Sequence, residues 1–201
     1  MGVVGAGAAG LMAARFAAVG GADVAVFEST ADGGRKILIS GGGRCNVLPS
    51  VATPERYVTG SSPRVLRRIL RSWPLSEQRG FFEEDLGIPL RLEPETGKLF
   101  PVSNRARDVR DRLVAAATEA GAEMRFGVRV DGLRPPPSAG AKWRIHLAGG
   151  ETVAADRVIV LDDGRIVEQG APADLVRRGG RFAALVELEE AGWDWREAAP
   201  R

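Results

Sequence analysis

The sequence has very few of the side chains on which many active sites depend. Its 201 residues include one cysteine, Cys45, and one histidine, His146. A single cysteine excludes a disulfide within this chain and fits a reducing compartment. A lone histidine in the strand-like segment KWRIHL argues against Ser-His-Asp triads and histidine-based metal sites. We therefore expect no metal site and interpret His146 as an ordinary strand residue.

Long apolar runs and an excess of one charge are also missing. No uninterrupted apolar stretch reaches the roughly 18 residues that a membrane-spanning helix needs, and the first residues do not resemble a signal peptide. The sequence pI is about 9.1, but the formal net charge is only +2. These features predict a cytoplasmic protein without membrane insertion or nucleic-acid binding.

Arginine is nonetheless abundant, and it outnumbers lysine by 25 to 3. This ratio indicates a compositional bias, so an arginine cluster in the segment PRVLRRILR is interpreted as the solvated side of an amphipathic helix. The apolar side of that helix consists of Val65, Leu66, Ile69 and Leu70. The arginine cluster consists of Arg64, Arg67, Arg68 and Arg71.

Apolar periodicity and turn residues predict an α/β protein. A strand, a glycine turn, a helix and a second strand are predicted over residues 3–28, followed by a polar loop over 34–46. Helices are predicted in PRVLRRILRSW, LSEQRGFFEEDLG and ARDVRDRLVAAATEAG, and two short strands in IPLRLEPETGKLFP. The runs MRFGVRVDGL, KWRIHLAGG and ETVAADRVIVL predict a β-meander, with the triple proline in a hairpin loop.

The most informative motif is GAGAAG, whose glycines are Gly5, Gly7 and Gly10. Glycine at these three positions permits a tight strand-to-helix turn, close approach of a pyrophosphate to the backbone, and close packing of helix on sheet. Ala9 lies in the first turn of the helix, whose free amide groups and dipole favour an anion. Glu28, at the end of the next apolar stretch, can accept hydrogen bonds from ribose hydroxyls and would repel a 2′-phosphate. The motif predicts a dinucleotide site; the alternative is a βαβ unit without a ligand.

A second candidate segment is GRKILISGGGRCN, over residues 34–46. Its glycines, including Gly41 and Gly42, would let the backbone approach a ligand closely. Donor side chains accompany them and suit a diphosphate or a flavin ring; a flexible polar loop is the alternative. The candidate donors are Arg35, Lys36, Arg44 and Asn46.

These motifs together resemble the FAD-dependent oxidoreductases of the aminoacetone-oxidase-like group, which includes bile-acid-associated bacterial flavoproteins. The resemblance covers residues 1 to about 155. It rests on GAGAAGLMAA, on VFE ending at Glu28, on GRKILISGGGRCN, FFEEDLGIPL and GKLFPVSNRARDV, and on GVRV ending at Val130.

The resemblance implies a Rossmann-like FAD-binding domain of the glutathione-reductase type. The FAD adenosine would lie on Glu28 and its pyrophosphate on the glycine turn, the segment 34–46 would lie along the flavin, and the backbone of Val130 would contact the adenine. NADH or NADPH is the implied electron donor. A redox role for Cys45 is not expected, because a dithiol couple needs a second cysteine.

The resemblance ends where the family pattern calls for an ATGG-type turn, a substrate domain and a closing segment. Residues 156–192 instead resemble the C-terminal end of an ABC exporter ATPase subunit, with a hairpin turn at Asp163 and Gly164. No GxxxxGK[ST] string accompanies it, so no ATPase chemistry is expected. The simplest interpretation is an incomplete FAD domain over residues 1–160, joined within 152–161 to a hairpin and short helical tail over 161–201.

Three functions follow as alternatives. The first is a flavin-dependent oxidoreductase with an unknown small-molecule substrate, and the second is an FAD-binding fragment with little or no turnover. The third is an interaction module that docks its C-terminal helix on a partner. No catalytic residue and no oligomeric state can be assigned from the sequence. The third function would use Phe182, Leu185, Leu188, Trp193 and Trp195.

Overall fold

Apolar runs bounded by glycine and proline form the strands and helices of the computed structural model, which describes residues 1–57, 63–138, 140–162, 165–170 and Arg177. The chain divides into two units: residues 1–33 with the described residues from 117 onward, and residues 34–116. In chain order the described elements are β1 (Gly2–Val4), α1 (Ala8–Val19), β2 (Ala25–Glu28), α2 (Arg35–Ile39), β3 (Leu48–Pro49), α3 (Pro63–Ser72), α4 (Leu75–Gly80), β4 (Leu90–Glu93), β5 (Lys98–Pro101), α5 (Ala106–Glu119), β6 (Glu123–Phe126), β7 (Val130–Arg134), β8 (Trp143–Leu147), β9 (Thr152–Ala155), β10 (Val158–Asp162) and β11 (Arg165–Gly170).

The first unit is built on a parallel sheet with the strand order β1-β2-β6. Val3 lies opposite Val26, and Val26 lies opposite Met124. Helix α1 connects β1 to β2 and buries Leu11 and Ala14 completely. A strand, a crossover helix and a parallel strand form the βαβ unit of nucleotide-binding folds. The elements predicted over residues 3–28 are therefore confirmed.

The same unit contains the predicted meander, in which β7, β8 and β9 pair antiparallel. Trp143, Ile145 and Leu147 are buried at alternate positions of β8, as expected when one face of a strand meets the core. They pack with Phe27 of β2 and with Ala155. Part of the core of the first unit therefore lies between the meander and the parallel sheet.

Two of the three runs predicted as single meander strands are each divided. In MRFGVRVDGL, Gly127 has φ +71° and separates β6 from β7. The first half pairs parallel with β2 and the second half starts the meander, so a left-handed glycine lets one run serve two sheets. In ETVAADRVIVL, β9 ends at Ala155 and β10 pairs antiparallel with β11. That pair forms the predicted hairpin, whose turn residues and the tail after it, apart from Arg177, lie outside the described residues.

The second unit contains an antiparallel sheet with the order β3-β5-β4. Leu92 lies opposite Leu99 in the β4–β5 pair, and Gly97, with φ +63°, lies in the turn between the two strands. Leu99 and Phe100 are buried. The two short strands predicted in IPLRLEPETGKLFP are confirmed.

The predicted helices of the second unit are present as well. Helix α4 continues into one π-helical turn, Phe81–Asp85, and Gly87 follows it with φ +62°, as predicted for a C-terminal cap. The arginine cluster of α3 is exposed, as predicted. On the apolar side of α3, Val65 and Ile69 are exposed, at 49% and 59%, and Leu66 and Leu70 are half-buried. Amphipathic spacing did predict the helix, but within the described residues its apolar side is not buried.

Helix α5 follows β5 in the chain. Its predicted apolar side consists of Val109, Leu113, Ala116 and Ala117, and all four are buried. Within the described ranges, no helix combines the length and apolar content needed to cross a bilayer. The same part of the chain contains no group of three or more His, Cys, Asp or Glu side chains placed to hold a metal ion.

Candidate nucleotide-binding site

The glycine turn between β1 and α1 is shaped by two close backbone approaches. Gly5 has φ +92°, and its N–H donates to the Phe27 carbonyl at 2.7 Å. A Cβ atom on Gly10 would lie only 2.0 Å from the Gly5 carbonyl oxygen. Both positions therefore require glycine for the turn itself, whether or not a ligand is bound.

Gly7 differs from its neighbours in the motif because the space beside it is open. It precedes α1 with φ −78°, which any residue can adopt, and a Cβ atom there would meet nothing within 4 Å. Gly7, Ala8 and Ala9 are exposed. No acidic side chain lies in the first turn of α1. The positive end of the helix dipole and the amide groups of that turn are therefore accessible to an anion.

Glu28 ends β2 and is bonded to the glycine turn. Its Oε2 accepts the Ala6 N–H at 2.8 Å, and its Oε1 accepts the Thr30 N–H and the Thr30 hydroxyl, each at 2.8 Å. Partial burial acts to raise the pKa of Glu28, but these hydrogen bonds outweigh it and lower the pKa below its ordinary value. Glu28 is therefore ionised at neutral pH and acts only as an acceptor.

The residues of the glycine turn and Glu28 fit the ribose and pyrophosphate of a dinucleotide. Small residues leave the backbone side at Gly7 open, the helix N-terminus attracts phosphate, and Oε2 of Glu28 retains acceptor capacity beside the turn. A 2′-phosphate would meet an ionised carboxylate, which disfavours it. The contribution of Ala6 and Thr30 was not predicted from the sequence. A hydroxyl residue two positions after the acidic residue was the available signal for Thr30.

Val130, the predicted adenine contact, is the first residue of β7 and is half-buried. Two residues earlier, the Val128 N–H donates to the Glu28 carbonyl at 2.9 Å. Glu28 and the segment that enters β7 are thus neighbours within the first unit. The contact between Val130 and adenine stays a prediction.

The second candidate segment is not a loop throughout, which corrects the prediction. Residues Arg35–Ile39 form α2, and Ser40–Gly43 form a 3-10 turn with left-handed backbone at Gly41 and Gly42. The run RKILI consists of adequate helix formers, and the glycines that follow end the helix. Arg35 and Lys36 are exposed on α2.

Arg44 makes three contacts within the second unit. Its guanidinium donates to Glu93 Oε1 at 2.7 Å and to the Gly41 carbonyl at 3.2 Å, and it lies 4.2 Å from the centre of the Phe100 ring. A Cβ atom on Gly41 would lie 2.7 Å from the same ring. Through these contacts, Arg44 holds the turn at residues 41–43 against the Phe100 ring. Asn46 is exposed nearby, and the cofactor contacts assigned to this segment stay predictions.

Cys45, which lies between Arg44 and Asn46 in the sequence, is buried, and its backbone is left-handed with φ +64°. Burial raises the pKa of its thiol, and a hydrogen bond with Ser40 only partly opposes this. A buried neutral thiol is a poor nucleophile. The geometry therefore agrees with a packing role for Cys45.

Known proteins identify the fold that carries this site. The model of the HI0933-like protein Rossmann domain family matches residues 1–176. The chain therefore belongs to this family, which confirms the sequence-based assignment to FAD-binding oxidoreductases with a Rossmann-like domain. FAD is the cofactor of that group. The match runs past residues 152–161, where a junction was predicted, and the likeness of the tail to an ABC exporter gains no support from it.

Two curated relatives are similar to the chain. The 3-dehydro-bile acid delta(4,6)-reductase of Clostridium scindens is 31% identical over 167 residues, which cover 82% of this chain and 39% of that protein. The ribosomal RNA dihydrouridine synthase of Haemophilus influenzae is 34% identical over 122 residues, or 61% of this chain and 29% of that protein. The chain thus spans less than half the length of either relative.

Two solved structures share the fold at low sequence identity. The THI4 protein of Thermovibrio ammonificans has a TM-score of 0.53 at 18% identity, with 89% of this chain and 62% of that chain covered. The 3-ketosteroid-delta4-(5alpha)-dehydrogenase of Rhodococcus jostii has a TM-score of 0.55 at 16% identity, with 79% and 44% covered. These likenesses confirm the Rossmann-like α/β fold.

Proposed function

We propose that this member of the HI0933-like Rossmann family binds FAD through the glycine turn and Glu28 and forms the cofactor-binding part of a flavin-dependent reductase. The observation that carries the proposal is the bond between Glu28 and the Ala6 N–H at 2.8 Å. This bond holds an ionised acceptor beside the open N-terminus of α1. A site for ribose hydroxyls is thereby joined to a site for phosphate.

The chain's own residues would bind and orient the cofactor. The amide N–H groups at the start of α1 would donate hydrogen bonds to the pyrophosphate, and Glu28 would accept hydrogen bonds from the adenosine ribose. Arg35 and Lys36 of α2 are exposed, and a contact of either side chain with the cofactor stays a prediction. When bound, FAD supplies two-electron chemistry, with NADH or NADPH as the proposed donor.

Reduction of a small organic molecule is the direction of reaction that the relatives favour. One relative is named a reductase of a bile acid, and the other is named a synthase of dihydrouridine in ribosomal RNA, a nucleoside with two hydrogens more than uridine. We favour a small molecule over RNA because the bile-acid relative matches more of this chain and because the arginine excess extends over the whole sequence.

Flavin binding and flavin reduction are tested separately. The purified chain, supplied with FAD and freed of excess by gel filtration, should keep a visible flavin absorbance. Anaerobic addition of NADH or NADPH should then bleach that absorbance if the donor is correct. A colourless chain would refute the proposal. A flavin that binds but is not bleached would support FAD binding and refute NADH and NADPH as the electron donors.

A further inference from the structure

Thr30 makes more contacts with the candidate site than a solvent-facing loop residue needs. Its N–H and its hydroxyl both donate to Glu28 Oε1 at 2.8 Å. Its hydroxyl oxygen accepts the Gly33 N–H at 3.1 Å, and its carbonyl accepts the Gly127 N–H at 2.9 Å. One residue thus ties the carboxylate to the loop that follows β2 and to the end of β6.

The loop that Thr30 holds closes directly onto the glycine turn. Gly33 has φ +65°, and a Cβ atom there would lie 2.8 Å from the Ala6 Cβ and 3.2 Å from the Phe126 ring. The bond from the Gly33 N–H to Thr30 therefore fixes the loop where it packs on Ala6. Ala6 is also the residue whose N–H donates to Glu28. Thr30 and Ala6 consequently hold the two oxygens of the same carboxylate.

The two oxygens of the Glu28 carboxylate have different hydrogen-bond partners. A carboxylate offers about four acceptor positions, two on each oxygen. Oε1 accepts both bonds from Thr30 and, at the longer distance of 3.4 Å, a bond from the Ser29 hydroxyl, whereas Oε2 accepts only the Ala6 N–H among the described contacts. Oε2 is thus the oxygen with acceptor capacity left for a ribose hydroxyl.

We propose that Thr30 is a positioning residue, whose hydroxyl fixes Glu28 so that Oε2 receives a hydroxyl of the adenosine ribose. This inference rests on the proposed FAD function. The neighbouring Ser29 supplies a matched control, because its hydroxyl also points at Glu28 Oε1 but at 3.4 Å and from an exposed position. The short bond from the Thr30 hydroxyl can orient the carboxylate, whereas the longer bond from Ser29 is too weak to do so.

The test measures the affinity of the full chain for FAD and for ADP, which contains only the adenosine half. Thr30→Val keeps the shape of the side chain and removes the hydroxyl, so affinity for both ligands should fall about tenfold, as for one hydrogen bond to a charged group. Thr30→Ser restores the hydroxyl and should bind within about twofold of the parent, as should Ser29→Ala.

Two further arms separate positioning from a general effect on folding. The loss of affinity caused by Thr30→Val should disappear with 2′,3′-dideoxy-ADP, which has no ribose hydroxyls to donate hydrogen bonds to Glu28. It should also disappear in a chain that already carries Glu28→Ala, because Thr30 acts through that carboxylate. Thermal unfolding of each variant confirms that folded chains are compared.

The outcomes are distinct. Parental affinity in Thr30→Val, a loss in Thr30→Ser equal to that in Thr30→Val, or an undiminished loss with the dideoxy ligand would each overturn the role of Thr30. A parent chain that binds neither FAD nor ADP would instead overturn the proposed function, and with it the inference.

Discussion

Glu28 and Ala6 are joined by a 2.8 Å hydrogen bond from the Ala6 backbone N–H to Glu28 Oε2, across a sequence separation of 22 residues. The bond links the end of β2 to the turn that starts α1. The acidic residue of the dinucleotide motif therefore bonds to the glycine turn, in addition to its proposed role in binding a ribose. Substitution of Glu28 should affect both folding and cofactor binding.

Substitution by alanine should reduce stability at Gly10 and FAD affinity at Gly7. Gly10→Ala places a Cβ atom 2.0 Å from the Gly5 carbonyl oxygen, so the turn must move and the thermal midpoint should fall by several degrees. Gly7→Ala meets nothing within 4 Å and should leave stability nearly unchanged while weakening FAD binding. Thermal unfolding and FAD titration of both variants check this. If Gly7→Ala bound FAD with the parent's affinity, the proposed position of the pyrophosphate at this turn would be wrong.

The stability supplied by Glu28 should depend on pH. Its pKa in the folded chain is lowered, since hydrogen bonds from Thr30 and Ala6 outweigh the effect of partial burial. The unfolded chain then binds the proton more tightly, so the contribution is complete above the unfolded pKa and is lost as pH falls through the folded pKa. Glu28→Gln should therefore be less stable than the parent at neutral pH and approach it in acid. Urea unfolding at several pH values measures the difference; a gap independent of pH would contradict the assignment.

Arg44 should stabilise the turn at residues 41–43 by a modest amount. Its ion pair with Glu93 is partly exposed, with side-chain exposures of 39% and 25%, so screening by solvent should keep the coupling between the two charges small. Its position over the Phe100 ring should add about 0.5–1 kcal/mol. A double-mutant cycle of Arg44→Ala and Glu93→Ala, read by chemical unfolding, gives the coupling. Arg44→Ala also removes the ring contact, so it should cost more than the coupling that the cycle measures, and a cost no larger than that coupling would refute a stabilising ring contact.

Cys45 should be slow to react and should tolerate glycine better than alanine. Its burial and raised pKa predict slow modification by thiol reagents at neutral pH until the chain unfolds. Both substitutions remove the thiol, but only glycine relieves the left-handed backbone at φ +64°. Cys45→Gly should thus be more stable than Cys45→Ala by about 1 kcal/mol. Equal stability would show that the backbone conformation costs little here.

The sequence could predict the parts of the site that follow from local rules. Gly5 and Gly10 need glycine for steric reasons that the motif spacing already expresses, and Glu28 lies at the strand end that the apolar run defines. The buried side of α5 was readable in the same way, because a helix repeats its contacts every three or four residues.

Other features depend on contacts between distant segments and could not be read locally. The bonds from Ala6 and the packing of Gly33 on the glycine turn require the loop after β2 to fold back. Likewise, the contact of Arg44 with Glu93 and Phe100 joins segments about fifty residues apart, so the sequence did not reveal these partners of Arg44. The division of one run at Gly127 was missed because an apolar run does not reveal which sheet each half joins.

The most direct test of the account is titration of the FAD-depleted chain with FAD, compared between the parent and Glu28→Ala and followed by flavin fluorescence. We predict saturable binding by the parent and an affinity about tenfold or more lower in Glu28→Ala, because hydrogen bonds to a charged acceptor are lost. A parent that takes up no FAD, or a folded Glu28→Ala chain with the parent's affinity, would contradict the placement of FAD on the glycine turn and Glu28.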